Sequence, residues 1–109
     1  NIFKNNKIFD IQKENGESSA FSFIFKFKKK FLHLKNKIYS DLRRNNIQFR
    51  LITGGCFLKH PVKKHFDYSV YKNIKNANYI HENGFFLGNA AVNLDDQLIH
   101  FNKTIIKYY

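Results

Sequence analysis

The 109-residue sequence has no methionine and no tryptophan, a single proline and a single cysteine, Cys56. A lone cysteine excludes a disulfide within the chain and a zinc site built from several cysteines, and it fits a reducing, cytoplasmic compartment. No apolar run approaches the roughly 18 residues of a membrane-spanning helix, so we expect no membrane partner. The amino end lacks the apolar core of a signal peptide and an initiator methionine, so we expect the chain to begin downstream of its natural start.

The composition combines a strong positive charge with enough apolar material for one domain. Hydrophobic residues make up 43% of the chain, and the formal net charge is +11. This apolar content argues against intrinsic disorder. Lys, Asn, Ile and Phe, which have A/T-rich codons, are abundant, so a composition bias explains the charge without a nucleic-acid partner. The alternative is a small basic nucleic-acid-binding α+β domain.

Hydrophobic periodicity predicts a small sheet with helices packed on it, in the order β-α-β-loop-α-β-α. The fold class is therefore α/β or α+β. Residues 1–17 are polar and are predicted to be a connector or domain edge, and residues 18–109 are predicted to be the folded domain. The predicted elements are a strand at 21–27, a helix from Leu34 to Asn45-Asn46, a strand at 47–53, a loop or short helix at 62–69, a helix at 76–83, a strand at 85–89 and a final helix capped by Asn93.

The stretch SAFSFIFKFKK alternates phenylalanine with other residues, which places Phe21, Phe23, Phe25 and Phe27 on one face of a strand. A basic aromatic strand of this kind can bind single-stranded nucleic acid if the aromatic face is exposed. A domain of this size needs those side chains for its core. We therefore predict that the face is buried.

No arrangement of residues predicts a self-contained catalytic site or a metal site. The five histidines include no pair at the i, i+4 spacing with a neighbouring acid that zinc hydrolases use. Asp95 and Asp96 stand at the start of the final predicted helix, where they complement the helix dipole. We predict no catalytic residue and no metal ligand in this chain.

Three segments, in order, resemble the C-terminal small domain of the DegT/DnrJ/EryC1/StrS family of pyridoxal-phosphate (PLP)-dependent sugar aminotransferases and dehydratases. They are NNIQFRLITGGCFLKHPV, NIKNANYIHENGFFLGN and NLDDQLIHFNKTIIKYY. The resemblance implies the small domain of a fold-type I PLP-dependent enzyme. The branch of the family that this sequence resembles most acts on nucleotide-linked 4-keto-6-deoxysugars for lipopolysaccharide. The resemblance leaves open whether the enzyme is an aminotransferase or a dehydratase.

The resemblance also implies which residues face the nucleotide-sugar substrate: Arg50, Thr53, Gly54, Gly55 and Asn89. The planar fork of an arginine suits a phosphate or carboxylate, and glycines let the backbone approach a ligand. Without the resemblance, an exposed position on a strand is an equally good interpretation of Arg50. For Asn89, a turn former at the end of a strand is then the better interpretation.

In this family the Schiff-base lysine, or the histidine that replaces it, lies in a large domain that would precede Asn1. The resemblance therefore implies that PLP is bound mainly by that missing large domain and that this chain alone is inactive. It also implies a homodimer in the complete enzyme. Cys56 and Ala90 stand where the branch usually has Asn and His on the sugar side. An inactive remnant of the enzyme is accordingly a further alternative.

Overall fold

An antiparallel sheet organises the chain, of which the computed structural model describes residues 2–109. Within that part the strands lie in the order β1-β2-β4-β3. The strands are β1 (Phe9–Ile11), β2 (Ser22–Phe27), β3 (Arg50–Leu51) and β4 (Gly84–Gly88). The α-helices are α1 (Lys35–Arg44), α2 (Lys75–Asn83) and α3 (Asp95–Ile105), and short 3-10 turns cover Lys29–Leu34, Phe57–Lys59, Pro61–His65 and Ile106–Tyr108. The predicted α+β class, a small sheet with helices packed on it, is confirmed.

The core lies between one face of the sheet and helices α1 and α3. Antiparallel pairing sets Phe25 opposite Phe85, so both rings point to the same face, where Phe101 of α3 packs against them. The fully buried large side chains are Ile8, Phe9, Phe25, Phe27, Ile38, Leu42, Phe85, Phe101 and Ile105. The prediction that the β2 phenylalanines form the core is thus confirmed for Phe25 and Phe27.

Phe21 departs from that prediction, because 82% of its surface is exposed. The β2–β4 ladder ends at the pair Ser22 and Gly88, so Phe21 lies just beyond the sheet and is not covered by the helices. In the sequence, the alternation of phenylalanine with other residues therefore begins one position before the first hydrogen-bonded pair of the ladder.

Strand β1 was not predicted, because the segment before residue 18 was read as a polar connector or domain edge. The side-chain Oδ1 of Asn6 accepts hydrogen bonds from the N–H groups of Ile8 and Phe9 (3.1 and 3.2 Å) and turns the chain into the strand. Ile8 and Phe9 are buried in the core. The predicted strand at 47–53 is shorter than expected, since only Arg50–Leu51 pairs with β4.

The predicted ends of α1 and α2 agree with the structure, whereas the N-cap of α3 is Leu94, one residue after the predicted Asn93. Asn46 has φ 56°, a left-handed conformation that asparagine tolerates, and it ends α1. Asn93 lies just before that cap, and its Oδ1 accepts a hydrogen bond from the N–H of Asp95 (2.8 Å). The turn at Asn46 directs the chain from α1 into β3 and so determines where Arg50 lies.

Helix α2 covers only one end of the opposite sheet face. Tyr79 of α2 donates a hydrogen bond to the carbonyl of Phe27 (2.9 Å), and a Cβ at Gly84 would lie 2.6 Å from the carbonyl oxygen of Ile80. The close approach therefore requires glycine at position 84. The other end of this face, which carries Phe86 and Arg50, is left open.

A buried carboxylate joins α1 to the C-terminal turn. Asp41 accepts a hydrogen bond from the hydroxyl of Tyr108, and the Nζ of Lys107 lies 2.7 Å from its Oδ2. The hydrogen bond from Lys107, and next that from Tyr108, lower the pKa of Asp41 below its ordinary value. Burial and the bond to Asp41 raise the pKa of Tyr108 to about 12.

This cluster predicts a specific acid sensitivity. Because the pKa of Asp41 is lower in the folded state than the value of about 3.9 in an unfolded chain, its stabilisation is fully present above that value and is lost as the pH falls through the folded-state pKa. Asp41→Asn should therefore lower the free energy of unfolding at pH 7, and the difference from wild type should shrink at about pH 3. Urea unfolding at several pH values measures this.

The matched control is Asp67→Asn, since Asp67 is exposed in an irregular segment. Its unfolding free energy should follow wild type at every pH. A constant difference between Asp41→Asn and wild type across the pH range would contradict the assignment of the acid sensitivity to Asp41.

Candidate ligand-binding cleft

An open cleft of about 700 Å³ lies at the end of the sheet where β4 ends and β3 begins. Its wall combines the last turn of α1, the segment from Asn46 to Arg50, the residue before β2, and the end of β4 with Asn89. The antiparallel pairing brings these segments together, because the start of β3 and the start of β2 both meet the end of β4. The volume falls within the range typical of small-molecule sites.

Two arginines give the cleft its positive charge. Arg50 is the first residue of β3, and Arg43 lies in the last turn of α1 with its guanidinium 5.0 Å from the centroid of the Phe49 ring. Within residues 2–109, no carboxylate lies within 4.0 Å of either guanidinium, and no acidic residue lines the cleft. Both guanidinium groups are therefore available to an anionic ligand.

The cleft also has an aromatic wall. The exposed ring of Phe21 lies with its centroid 6.2 Å from that of Phe86, the outward-facing residue of β4. Phe49, deeper in the wall, stacks on Tyr39 of α1 at 4.8 Å. An exposed aromatic ring beside two cations suits a ligand that is both planar and anionic.

Asn89 lines the cleft, and its side chain also has a structural contact. Its Nδ2 donates a hydrogen bond to the carbonyl of Ala20 (2.7 Å) and so holds the residue that precedes Phe21. This hydrogen bond gives Asn89 a structural role at the end of β4. Its Oδ1 is the atom left to accept a hydrogen bond from a ligand.

The structure brings Arg50 and Asn89 together but does not place Thr53, Gly54 or Gly55 in the lining of this cleft. A Cβ at Gly55 would lie 2.9 Å from the Cα of His81, so this glycine allows the loop to pack on α2. The substrate-binding roles of Thr53, Gly54 and Gly55 stay predictions. Arg43 and Phe21 were not predicted, because nothing in the local pattern reveals that the end of α1 meets the end of the sheet.

Cys56 is not among the residues that line the cleft. It is 3% exposed, and its Sγ donates a hydrogen bond to the Oδ1 of Asn78 on α2 (3.1 Å). The cysteine is a small buried residue at the loop–helix contact, whereas Ala90 is exposed.

Neither a metal site nor a membrane span is found in the part of the chain that the structure describes. Residues 2–109 contain no group of three His, Cys, Asp or Glu side chains able to hold a metal ion. The rings of His60 and His81 approach to 5.9 Å between centroids but have no third partner of this kind. None of the described helices is both long and apolar enough to cross a bilayer.

The fold matches the C-terminal part of a PLP-dependent nucleotide-sugar enzyme. A solved structure of the Escherichia coli GDP-4-keto-6-deoxy-D-mannose-3-dehydratase with bound hydrated PLP matches 94% of this chain with a TM-score of 0.87 and 38% identity. A second structure of this kind of dehydratase, with bound GDP-perosamine, matches 95% of the chain with the same TM-score and 37% identity. No family model matches the chain.

Two curated relatives carry the same name, GDP-4-keto-6-deoxy-D-mannose 3-dehydratase. The protein of Escherichia coli O55:H7 is 38% identical over 104 residues, which is 94% of this chain and 27% of the relative. The protein of Yersinia pseudotuberculosis is 35% identical over 98 residues, which is 89% of this chain and 25% of the relative. The chain thus spans about a quarter of the length of the curated relatives that it matches.

Proposed function

We propose that this chain is the C-terminal small domain of a DegT/DnrJ/EryC1/StrS-type dehydratase that acts on a nucleotide-linked 4-keto-6-deoxysugar. The observation that carries the proposal is the match of nearly the whole chain, at 38% identity and a TM-score of 0.87, to part of a GDP-4-keto-6-deoxy-D-mannose 3-dehydratase. Because both curated relatives are named as dehydratases, we prefer dehydration to amino transfer as the reaction.

The residues of the cleft fit the nucleotide-sugar better than they fit the cofactor. When bound, PLP supplies an electron sink that stabilises a carbanion on the substrate, and its pyridine nitrogen needs a charged partner. No carboxylate and no lysine line the described cleft, whereas two arginines do. We therefore propose that a large domain outside this chain holds PLP, and that Arg50 and Asn89 bind and orient the substrate.

An exposed apolar surface supports contact with that large domain. The segment from 57 to 71 exposes large apolar side chains, of which Tyr71 is the most exposed at 81%. The exposed residues are Phe57, Val62, Phe66, Tyr68, Val70 and Tyr71. Exposed apolar side chains gathered in one segment are typical of a surface that another polypeptide covers. We propose that the large domain covers it, in a homodimer of the complete enzyme.

The free, buried Cys56 fits a reducing compartment, which supports the cytoplasmic location that we propose. The nucleic-acid-binding alternative has less support. Stacking of bases on β2 would need the rings of Phe25 and Phe27, which lie in the core.

The natural polypeptide tests the proposal. Antibodies against this chain should isolate from its source cells a PLP-containing polypeptide roughly four times as long, since the chain covers 27% of its relative. Alternatively, they should isolate this chain together with a companion polypeptide that carries PLP. Intact-mass spectrometry and PLP absorbance provide the measurements.

A free 13.0 kDa chain without a companion and without PLP would overturn the proposal. Such a chain would be an inactive remnant or a basic binding domain. Nucleic-acid affinity that falls steeply with salt would identify the binding domain.

A further inference from the structure

We propose that Asn15 is a site of spontaneous covalent modification, where the side-chain amide is lost as ammonia through a cyclic imide formed with the backbone nitrogen of Gly16. Asn15-Gly16 and Asn83-Gly84 are the two Asn-Gly pairs of the sequence. The inference goes beyond the proposed function and does not depend on it, because it rests on the chemistry of this pair and on the different surroundings of its two copies.

The reaction needs only the Asn-Gly pair and water. The nitrogen of Gly16 forms a bond to Cγ of Asn15, the bond from Cγ to Nδ2 breaks, and the proton of the Gly16 N–H leaves with the ammonia. Water then cleaves either bond between the imide nitrogen and a carbonyl carbon, so that its hydroxyl goes to the carbon and its proton returns to the nitrogen. The product is aspartate, or isoaspartate if the main chain continues through the side chain, and each product adds a negative charge.

The surroundings of Asn15-Gly16 allow the ring to close. Both residues are exposed in the irregular segment between β1 and β2. The side-chain hydrogen bond of this segment joins the hydroxyl of Ser18 to Glu14 (2.6 Å) and engages neither residue of the pair. No backbone carbonyl among the described residues accepts the N–H of Gly16. The attacking nitrogen can therefore reach Cγ, and a glycine does so with the least crowding because it has no Cβ.

The second Asn-Gly pair has the opposite surroundings. Asn83 is 7% exposed, and its Oδ1 accepts a hydrogen bond from the Nζ of Lys35 (3.2 Å). The N–H of Gly84 donates a hydrogen bond to the carbonyl of Ile80 where α2 ends. The attacking nitrogen and the amide under attack are both held here, so ring closure would first require α2 and β4 to open.

Modification at Asn15 should leave the fold intact. Every residue from 12 to 21 is exposed, whereas the chain before this segment is held in the core by Ile8 and Phe9. A new carboxylate or an extra main-chain methylene in the exposed segment therefore displaces no core contact. Modified chains should accumulate with age as a folded and less basic form of the protein.

Timed incubation of the 109-residue chain at mildly alkaline pH, followed by peptide mass spectrometry, tests the inference. Asn83 has the glycine without the exposure, and Asn73 is exposed in an irregular segment but precedes Ile74, so both are internal controls. Asn15 should react at least about 100-fold faster than Asn83, the factor that corresponds to about 2.7 kcal/mol for local opening. It should react about tenfold faster than Asn73, because the branched side chain of Ile74 crowds the ring.

Unfolding and substitution separate the effect of the fold from that of the sequence. In urea, Asn15 and Asn83 should react at similar rates, since only the fold distinguishes their surroundings. In the folded chain, Gly16→Ala should slow the reaction at Asn15 about tenfold, because the new Cβ crowds ring closure. The matched control is Ser19→Ala, which changes the same exposed segment, leaves the pair intact and should not alter the rate. Circular dichroism verifies that both variants fold.

A folded chain in which Asn15 reacts no faster than Asn83 would overturn the inference. So would an unchanged rate at Asn15 in Gly16→Ala. A difference between Asn15 and Asn83 that persists in urea would also overturn it, because the fold would then not determine which pair reacts. Aged and fresh chains should have the same urea midpoint, and loss of structure on ageing would contradict the position of Asn15 outside the core.

Discussion

Replacement of Phe85 by alanine is expected to lower the free energy of unfolding by about 3–5 kcal/mol, the usual cost of truncating a buried phenylalanine. Phe85 is fully buried at the centre of the sheet, with its ring centroid 5.3 Å from those of both Phe9 and Phe25. Removal of this ring leaves a cavity that neighbours from β1, β2 and α3 cannot fill without moving. Since domains of this size are stable by only about 5–15 kcal/mol, the variant should be near the limit of folding.

Urea unfolding followed by circular dichroism measures the effect. The matched control is Phe57→Ala, because Phe57 is 51% exposed in the turn after β3. We expect its unfolding free energy to stay within about 0.5 kcal/mol of wild type. Equal losses in the two variants would show that the core is not centred on Phe85.

The elements that could be predicted from the sequence are those with enough residues to repeat a period. Strand β2 alternates over its whole length, and α1 repeats apolar residues every four positions, with Ile38 and Leu42 fully buried. Strand β1 has only three residues and carries no detectable period. Its place in the core depends on the local turn at Asn6 and on tertiary pairing with β2, neither of which produces a period in the sequence.

The candidate site could be predicted only in part. Arg50 and Asn89 were implied by resemblance to a family, and the structure places both in one cleft. The alternation of residue types predicts that Phe21 lies on the core face of β2. It lies outside the core because the hydrogen-bonded ladder ends at Ser22. The helical periodicity of α1 places Arg43 on the side that faces solvent. Its position in the cleft depends on how α1 crosses the sheet, which no local pattern encodes.

Arg50 is expected to have the largest effect on activity of the residues in the cleft. The test enzyme is a chimera in which this chain replaces the matching C-terminal quarter of the Escherichia coli dehydratase. In the chimera, Arg50→Gln should lower kcat/KM about 100-fold, or about 2.7 kcal/mol, because the charged contact that we propose between Arg50 and the anionic substrate would be lost. Lys64→Gln is the control and should keep the activity of the unmodified chimera, since Lys64 lies outside the cleft.

The measurement that tests the central claim most directly is turnover by the unmodified chimera. The assay supplies GDP-4-keto-6-deoxy-D-mannose, PLP and glutamate, because structures of such dehydratases contain PLP and a PLP-glutamate adduct. If this chain is the C-terminal domain of a dehydratase of this kind, the chimera should release water from the sugar and lose most of that activity with Arg50→Gln. A folded, PLP-loaded chimera that binds the nucleotide-sugar but does not dehydrate it would contradict the account.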